Sequence, residues 1–372
     1  MNRFGTCLIL IVLISLVLGS AQYAAAAPLQ DGDLIASTNI GKLEVFRPDG
    51  TLVQTIETGA PSFQAGMCWN QTLTELRVTN SNFGSITLLD SGVSSITHPW
   101  VSGLNTPFSC VVNASGNFYV STFDSTADVI LFAPDGTQLD TFDLATQFPI
   151  FDIDLATDNC TLFYTDTSLT IKRYDVCTDT QLSDFATVPV SPFGFCVALQ
   201  IRPNGEVITV CFDVVHRLSS AGALIQSYPV STFVPPMLIL PQFPLGAEAL
   251  LLDPDGTSFW TAQPDSGQVY RIDIATGDTI INFGIPPNFL ALLPGNVGDL
   301  EIFTTTPDEC PPGTVGTPPD CIPINGNGPV GGEMIPLDTP MILVAGTQSV
   351  AAWMIPVIVS AIGIGIVITR KL

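Results

Sequence analysis

Basic residues are scarce in this 372-residue chain, which has 11 Lys and Arg against 34 Asp and Glu. A nucleic-acid-binding surface needs clustered cations to neutralise phosphates, and eleven scattered ones cannot supply it. Histidine is scarcer still, with only His98 and His216, which leaves little room for a histidine-rich metal centre or a catalytic triad. The sequence therefore predicts no nucleic-acid partner.

Good helix-forming composition is also missing. The chain contains 31 Gly and 30 Pro, and both residue types break helices, which disfavours a helical bundle. Disorder is disfavoured as well, because 46% of the residues are hydrophobic and 22 are Phe, enough apolar surface to form a core. We expect a folded body with little helix.

The first residues have the pattern of a secretory signal peptide. Arg3 precedes a 12-residue apolar run from Cys7 to Leu18, and small residues follow up to Ala27. This order of basic, apolar and small residues is typical of a cleaved signal, and the run is too short to span a bilayer. Residues 1–26 are therefore predicted to direct export, the alternative being a retained membrane anchor.

A second apolar run lies near the other end. Residues 350–369 carry no charge, and twenty such residues can span a bilayer. Trp353 suits the interface, and the basic pair within 370–372 favours the cytoplasmic side. Residues 304–349 are rich in Pro and Gly and predict an extended stalk. We expect a single-pass protein of the cell membrane with its body outside the cell.

The charge imbalance belongs entirely to the part predicted to be exported. All 34 acidic residues and 8 of the 11 cations lie within residues 27–349, so that part has a formal net charge of −26. An acidic exterior favours solubility, divalent cations and basic partners, and it does not indicate a fold.

Two kinds of glycine turn recur along the body. They occur in 113–116, 202–205 and 253–256, and in 47–50 and 133–136. Pro presets the second turn position and Gly takes the left-handed one, so each turn joins two antiparallel strands. Short runs rich in Val, Ile, Phe, Tyr and Thr flank the turns and predict strands.

The turns divide the body into units of four strands, which we letter A to D. Units begin near a proline at intervals of 42 to 52 residues, at Pro61, Pro107, Pro149, Pro192 and Pro244. Four-stranded units at this period predict an all-β fold, a six-bladed β-propeller spanning residues 27–303. The first unit lacks strand A, which either 289–293 or 299–303 could supply. Seven blades therefore stay open, and a β-sandwich is the other alternative.

These units resemble NHL-repeat and gluconolactonase (regucalcin)-like propellers. The resemblance rests on the segments 107–122 and 244–260 and on the closing strands 129–133 and 269–273. It implies a propeller that binds ligands or acts as an enzyme. The lactonases need a Glu followed by Gly-Pro near the first A strand, and this chain has no Glu-Gly-Pro. Residues 331–338, the apolar run and the basic pair resemble the anchor tails of archaeal surface proteins, which implies a prokaryotic cell surface.

Eight cysteines remain once Cys7 is removed with the signal peptide, and an even number in an exported chain suggests disulfides. Cross-strand proximity predicts two pairs, and a short Pro/Gly segment brackets a third. These pairs are Cys160 with Cys177, Cys196 with Cys211, and Cys310 with Cys321. Cys68 and Cys110 lie on the inner strands of consecutive units; they pair by elimination or stay as buried thiols.

One acidic or amide residue follows strand B in every unit. These residues are Asn39, Asn80, Asp124, Asp166, Asp213 and Asp265. B–C and D–A loops of a propeller share one face, so a ring of oxygen ligands there could hold Ca²⁺. Asp152, Asp154 and Glu248 on early A strands are further candidate ligands. The alternative is that Asp and Asn cap tight turns, and no cofactor is certain.

Other candidate features lie in loops. The insertion 231–243 lengthens a D–A connection with an apolar segment that either binds a ligand or covers the channel mouth, and it places Phe233, Met237 and Phe243 on the ligand face. Asn70, Asn113 and Asn159 are in N-glycosylation sequons at A–B turns, on the opposite face. His98, predicted in a loop, and His216, predicted mid-strand, are interpreted as structural residues.

The sequence thus predicts a membrane-anchored binding or scaffold propeller whose B–C/D–A face takes an extracellular protein, glycan or small ligand. The alternative is a Ca²⁺-dependent gluconolactonase- or lyase-like enzyme. A third hypothesis, a structural coat component, predicts regular self-assembly.

Overall fold

The computed structural model describes residues 27–126, 128–146, 148–189, 194–232, 249–263, 267–284 and 297–304, with short strands at 314–315, 322–323 and 347–348. The predictions made for residues 1–26, for Cys310 and Cys321 and for the run 350–369 lie outside the described residues. Within the described ranges, no helix is both long enough and apolar enough to cross a membrane.

Strands follow one another in groups along the chain. The first groups are β1 (Asp33–Thr38), β2 (Lys42–Phe46) and β3 (Leu52–Glu57), then β4 (Gln64–Trp69), β5 (Glu75–Asn80), β6 (Ser85–Asp90) and β7 (Ile96–Ser102). The next are β8 (Pro107–Val112), β9 (Phe118–Thr122), β10 (Asp128–Phe132) and β11 (Gln138–Asp143), then β12 (Asp152–Leu155), β13 (Thr161–Thr165), β14 (Thr170–Asp175), β15 (Thr180–Gln181) and β16 (Ala186–Thr187). The last are β17 (Ala198–Ile201), β18 (Val207–Val210), β19 (Val214–Leu218) and β20 (Leu224–Pro229), then β21 (Ala249–Leu252), β22 (Ser258–Gln263), β23 (Gln268–Asp273), β24 (Thr279–Gly284) and β25 (Val297–Phe303).

These groups form six antiparallel blades, which confirms the six-bladed propeller. Blades 2, 3, 5 and 6 each contain four consecutive strands in the order A to D. In blade 4 the place of strand D is taken by β15 and β16, which both pair with β14. The sheets are separate from one another, unlike the two stacked sheets of a β-sandwich.

The late segment supplies the strand missing from the first blade. Strand β25 pairs antiparallel with β1, with Leu34 opposite Ile302 and Ile35 opposite Glu301. Blade 1 is therefore β25-β1-β2-β3, and 299–303 is the correct choice of the two candidate segments; 289–293 lies outside the described residues. Joining distant parts of the chain in one blade closes the ring, which protects sheet edges.

The inner strands are more deeply buried than the outer ones. Every residue of β4, β8, β9 and β25 is buried, because strands A and B lie between neighbouring blades. In the outer strand β11 only Phe142 is buried. The predicted glycine turns are present as expected, with Gly50 and Gly136 at φ of 82° and 84°, a conformation that favours glycine.

Three of the predicted disulfides are confirmed. Cys160–Cys177 and Cys196–Cys211 link neighbouring positions of blades 4 and 5. Cys68–Cys110 joins the inner strands of blades 2 and 3, with a Cα–Cα distance of 5.8 Å, which excludes the free-thiol alternative. Blades 2 and 3 are so close here that a Cβ on Gly66 would lie 2.3 Å from the carbonyl oxygen of Phe108.

Three short strands follow the ring. β26 (Thr314–Val315) pairs with β27 (Ile322–Pro323). β28 (Thr347–Gln348) pairs antiparallel with β4, the inner strand of blade 2.

Candidate binding face

The two faces of the propeller are made by different loops. Every A–B and C–D turn opens on one face, and every B–C loop and D–A connection opens on the other, which we call the binding face. The structure places Asn39, Asn80, Asp124, Asp166 and Asp213 at the B–C loops of five successive blades. Asp265 lies outside the described residues.

Two acids of this ring bond to groups of their own loops and of neighbouring elements. Asp166 is buried, and its carboxylate accepts from the Lys172 ammonium and the Ser168 hydroxyl, each at 2.5 Å. Asp124 accepts from the backbone N–H of Thr126 at 2.8 Å and from the amide of Asn105. Such bonds are those expected of residues that cap turns.

The side-chain amides of Asn39 and Asn80 differ from the carboxylates of this ring in their hydrogen bonding. Asn80 is fully buried and donates to the Thr87 hydroxyl at 3.0 Å. Its Oδ1 and that of Asn39 are buried without a partner among the described residues. Neither oxygen lies on an exposed surface. The role of the B–C ring as a cation site stays a prediction.

Acidic side chains on the inner strands connect neighbouring blades. Asp152 of β12 accepts from the backbone N–H of Leu199 in the next blade at 2.6 Å, and Asp154 accepts from that of Ile201 at 2.7 Å. Asp299 of β25 likewise accepts from the N–H of Met67 at 2.6 Å. Among the described residues no further strand pairs with the inner edge of β17, so the carboxylates of Asp152 and Asp154 satisfy backbone donors that would otherwise be orphaned.

Burial perturbs the ionisation of these acids. Desolvation raises the pKa of Asp154 to about 7, although N–H bonds from Ile201 and Leu155 oppose the shift. It raises the pKa of Asp152 and Glu301 well above the usual range, and nearby carboxylates add to both shifts. Raised pKa values in a cleft are one sign of a functional site.

Two of the three predicted Ca²⁺ ligands accept hydrogen bonds from backbone N–H groups, and their role as metal ligands stays a prediction. Ca²⁺ needs six to eight oxygens, whereas Asp152 and Asp154 direct oxygens at backbone N–H groups. Within the described ranges no group of three or more His, Cys, Asp or Glu is arranged to hold a metal ion. Glu248, the third predicted ligand, lies outside those ranges.

An arc of phenylalanines borders the channel at the binding face, a feature that the sequence analysis missed. Phe63, Phe108, Phe151 and Phe195 stand at or just before the A strands of blades 2 to 5, with successive ring centroids 6.0, 6.4 and 5.3 Å apart. Phe123 lies 4.9 Å from Phe108 and 5.1 Å from Phe151. A signal existed, because each of these four units begins with a Pro that a Phe follows within three residues.

Aromatic side chains also reach the surface of this face. Phe83, in the B–C loop of blade 2, is 54% exposed, and Phe148, in the D–A connection before blade 4, is 51% exposed. Phe123 and Phe195 of the arc are half-buried. Among the described residues, the other large exposed apolar side chains all lie in D strands on the outer rim, at Leu52, Ile96, Leu139, Leu224, Ile225 and Ile280.

The histidines have structural partners. His98 lies in strand β7, not in a loop as predicted, because the D strand of blade 2 extends through it. Its Nδ1 lies 2.9 Å from the Thr87 hydroxyl, and burial lowers its pKa. His216 is in the middle of β19 as expected, with Nδ1 2.9 Å from the Ser227 hydroxyl.

The predicted apolar insertion belongs to the binding face by its position in the chain. It lies in the D–A connection between β20 and β21. Its candidate residues Phe233, Met237 and Phe243 fall outside the described residues, and their role stays a prediction.

The opposite face is polar. Asn70, Asn113 and Asn159 stand at the A–B turns of blades 2, 3 and 4, as the sequence predicts. Asn113 caps its own turn by accepting from the N–H of Ser115 at 2.9 Å, and Asn159 accepts from the N–H of Ala114 at 2.7 Å. Glycosylation of the three stays a prediction.

Comparison with known proteins supports the fold alone. No protein-family model matches the chain, and no curated protein matches it. Among solved structures, the chain is similar to one in the "Crystal structure of Nidogen/Laminin Complex", with a TM-score of 0.57 and 14% identity over 73% of this chain and 98% of that one. It is also similar to one in the "Streptogramin B lyase structure", with a TM-score of 0.50 and 15% identity over 72% and 86% of the two chains. The chain therefore has a β-propeller fold shared with both a binding-type and a lyase-type protein.

Proposed function

We propose that the protein is an exported β-propeller, anchored in the cell membrane, that binds a partner through its binding face. The signal-peptide pattern of residues 1–26 and the uncharged run 350–369 support export and anchoring. The glycine turns support kinship with NHL-repeat and gluconolactonase-like propellers, and residues 331–338 support a prokaryotic, archaeal-type cell surface.

The single observation that carries the binding role is the aromatic surface. Exposed Phe83 and Phe148, with half-buried Phe123 and Phe195, place four aromatic rings on the face where propeller loops commonly bind ligands. Exposed apolar groups gathered on one face mark interaction sites. We infer that the partner presents apolar groups there.

Charge restricts the partner further. Each of the eight cations of the exported part is engaged inside the protein. Six form ion pairs at 3.0 Å or less with carboxylates, namely Lys42, Arg47, Lys172, Arg202, Arg217 and Arg271. Arg77 and Arg173 lie against aromatic rings of Phe118 and Phe163, with guanidinium carbons 4.6 and 5.9 Å from the ring centroids. These cations already have partners, and the formal net charge of −26 on residues 27–349 repels anions, so we infer that the partner is neutral or cationic.

Binding of the neutral apolar dye Nile red tests the proposed face. A chain of residues 27–304 keeps the strands of all six blades, and near-ultraviolet circular dichroism checks its packing. We expect the double substitution Phe83→Ser and Phe148→Ser to reduce dye affinity at least tenfold. The matched rim variant Leu139→Ser and Ile280→Ser, at 52% and 51% exposure, should leave it nearly unchanged. Equal losses in both variants would contradict the proposal.

Anchoring is tested separately with the full chain. Synthesised with phosphatidylcholine vesicles, the chain should float with the lipid, and a chain ending at residue 349 should stay in the soluble fraction. Flotation of both chains, or of neither, would contradict an anchor in 350–369.

The alternative function is a Ca²⁺-dependent lactonase- or lyase-like enzyme. The observation that favours it is the group of buried acids with raised pKa values, Asp152, Asp154 and Glu301. Calorimetry with Ca²⁺ separates the two functions. Heat that disappears in Asp152→Asn and Asp154→Asn would support the enzyme, and absence of heat from the unmodified chain would remove it.

The opposite face is proposed to carry glycans. Mass spectrometry of protein from its native source should find Asn70, Asn113 and Asn159 modified. Finding all three unmodified would contradict this.

A further inference from the structure

The short strand β28 lies in the central channel of the propeller. It pairs antiparallel with β4, with Thr347 opposite Met67 and Gln348 opposite Gly66. It is also close to the inner strands β8, β12, β17, β21 and β25. A two-residue strand near the inner strands of all six blades can only be located on the axis of the ring.

The direction of β28 fixes the mouth at which the chain leaves the channel. Inner strands follow D–A connections, so every inner strand starts at the binding face and runs toward the opposite face. Because β28 is antiparallel to β4, it runs toward the binding face. Gln348 is level with Gly66, two residues from the start of β4 at Gln64. The C-terminal end of β28 therefore points toward the mouth on the binding face.

The entry to the channel is consistent with this path. Strand β25 runs in the same sense as the other inner strands and ends at Phe303 on the face opposite the binding face. The 43 residues 304–346 connect that point to Thr347, the first residue of β28. Phe303 is therefore on the side of the ring from which β28 enters the channel.

The uncharged run begins immediately beyond the channel strand. Val350 is two residues after Gln348, and two residues extend the chain by about 7 Å at most. We propose that the C-terminal segment threads the channel and holds the binding face against a lipid membrane, which makes lipid the partner of that face. This inference rests on the proposed membrane anchor.

The surface chemistry of the binding face fits a lipid surface. Phe83 and Phe148 are more than half exposed, and Phe123 and Phe195 are half-buried on the same face. Exposed Phe side chains are those that insert at the boundary between headgroups and acyl chains. Burying them in the bilayer would remove apolar surface from water.

The chemistry of the opposite face does not fit a lipid surface. Its turns expose Asp49, Asp135 and Asp158, and anionic lipids repel such side chains. The binding face carries acids too, since Asp124 and Asp128 share the Thr126 hydroxyl at 2.6 and 2.7 Å. We therefore expect closer approach to zwitterionic than to anionic lipid.

A fluorophore at single introduced cysteines tests the orientation. Phe83→Cys and Phe148→Cys report on the binding face, whereas Ala221→Cys and Ala275→Cys are matched controls on exposed C–D turns of the opposite face. The full chain of each variant is labelled and reconstituted in phosphatidylcholine vesicles with brominated acyl chains. The unsubstituted chain reports background labelling. We expect quenching at least fivefold stronger at residues 83 and 148 than at 221 and 275, and weaker at both when phosphatidylglycerol is added. Equal quenching at the two faces, or stronger quenching at the turns, would overturn the orientation.

A linker variant tests the threading itself. Twelve Gly and Ser residues inserted between Ser349 and Val350 add a flexible span of about 20 Å. We expect the variant to float with the vesicles as before, while quenching at residue 83 falls at least threefold. Unchanged quenching would overturn the role of the channel strand. Loss of flotation in the unmodified chain would instead contradict the anchor, so failure of the proposed function is distinguishable from failure of this inference.

Discussion

The two faces of this propeller are made from the same repeated unit but carry different chemistry. A–B and C–D turns are tight and rich in Asp, Asn and Gly, and Asp and Asn side chains bond to backbone amides one to three residues away. On the binding face the D–A connections are longer than these turns, and this face gathers the phenylalanine arc together with the exposed Phe83 and Phe148. The difference indicates that the turns serve the fold, whereas the longer loops are free to serve a partner.

The largest effect should come from the arc itself. Phe151 is fully buried, and its ring is in contact with those of Phe123 and Phe195. Phe151→Ala should lower the free energy of unfolding by about 3–5 kcal/mol, as expected for a large buried ring that leaves a cavity. Urea denaturation followed by tryptophan fluorescence measures it. On the other face, Asp135→Ala should lower the free energy of unfolding far less, because its side chain is exposed on a surface turn. Similar losses of unfolding free energy in Phe151→Ala and Asp135→Ala would contradict the proposed difference between the two faces.

The disulfides allow the stability contributions of the buried ring and of the exposed turns to be compared. Cys68–Cys110 joins two blades through fully buried side chains, whereas Cys160–Cys177 is partly exposed at the turns of blade 4. Replacing Cys68 and Cys110 by Ser should lower the free energy of unfolding by about 2–4 kcal/mol, because the loop constraint is lost. The two buried hydroxyls should lower it further. Replacing Cys160 and Cys177 should cost less, because Ser is tolerated where water is present. Thermal unfolding of the two double variants measures both, and an equal drop in Tm would be against this account.

The buried inner acids predict how stability depends on pH. Because the pKa of Asp154 is raised to about 7, the folded chain keeps a proton that the unfolded chain releases near pH 4. Stability from this group is therefore full below about pH 4 and falls as the pH rises through 7. Between pH 5 and pH 8 the urea midpoint of Asp154→Asn should decline less steeply than that of the unmodified chain. Asp140→Asn, on exposed β11, should have the same slope as the unmodified chain. Identical slopes for Asp154→Asn and the unmodified chain would contradict the assignment.

The smallest effect on stability, with a large effect on binding, is expected at the exposed rings. Phe83→Ser and Phe148→Ser remove surface side chains, so each should change the free energy of unfolding by less than about 0.5 kcal/mol. Their effect should appear as the loss of Nile red affinity described above. A large loss of stability would mean that these rings belong to the core.

Much of the fold could be predicted because the repeated features are local. Glycine turns, strand composition and the spacing of units together predict six blades, and cross-strand geometry predicts Cys160–Cys177 and Cys196–Cys211. The closing strand was left as two candidates, since both segments are apolar and only pairing with β1 distinguishes them. Residues whose partners come from another blade were harder to assign. The contacts of Asp154 with Ile201 and of Asp299 with Met67 depend on how blades stack.

The candidate site was predicted less completely for the same reason. The B–C positions were found from their recurrence, but recurrence does not tell a ligand from a turn cap, and Asp166 is held by Lys172. Phe63, Phe108, Phe151 and Phe195 are far apart in sequence and meet only in the ring. The path of β28 through the channel depends on pairing with β4, and no local pattern indicates it.

Hydroxyl-radical footprinting of the full chain in phosphatidylcholine nanodiscs tests most directly whether the binding face engages a partner that the rim and turns do not. Phe83 and Phe148 are exposed to the same extent as Leu139 and Ile280 on the rim, between 51% and 54%. Oxidation rates are compared with those of the linker variant, which cancels the intrinsic reactivity of each residue type. The account predicts that the rates at Phe83 and Phe148 rise at least threefold in the linker variant, while those at Leu139 and Ile280 stay constant. Rates that stay the same at all four residues, or that rise on the rim alone, would contradict it.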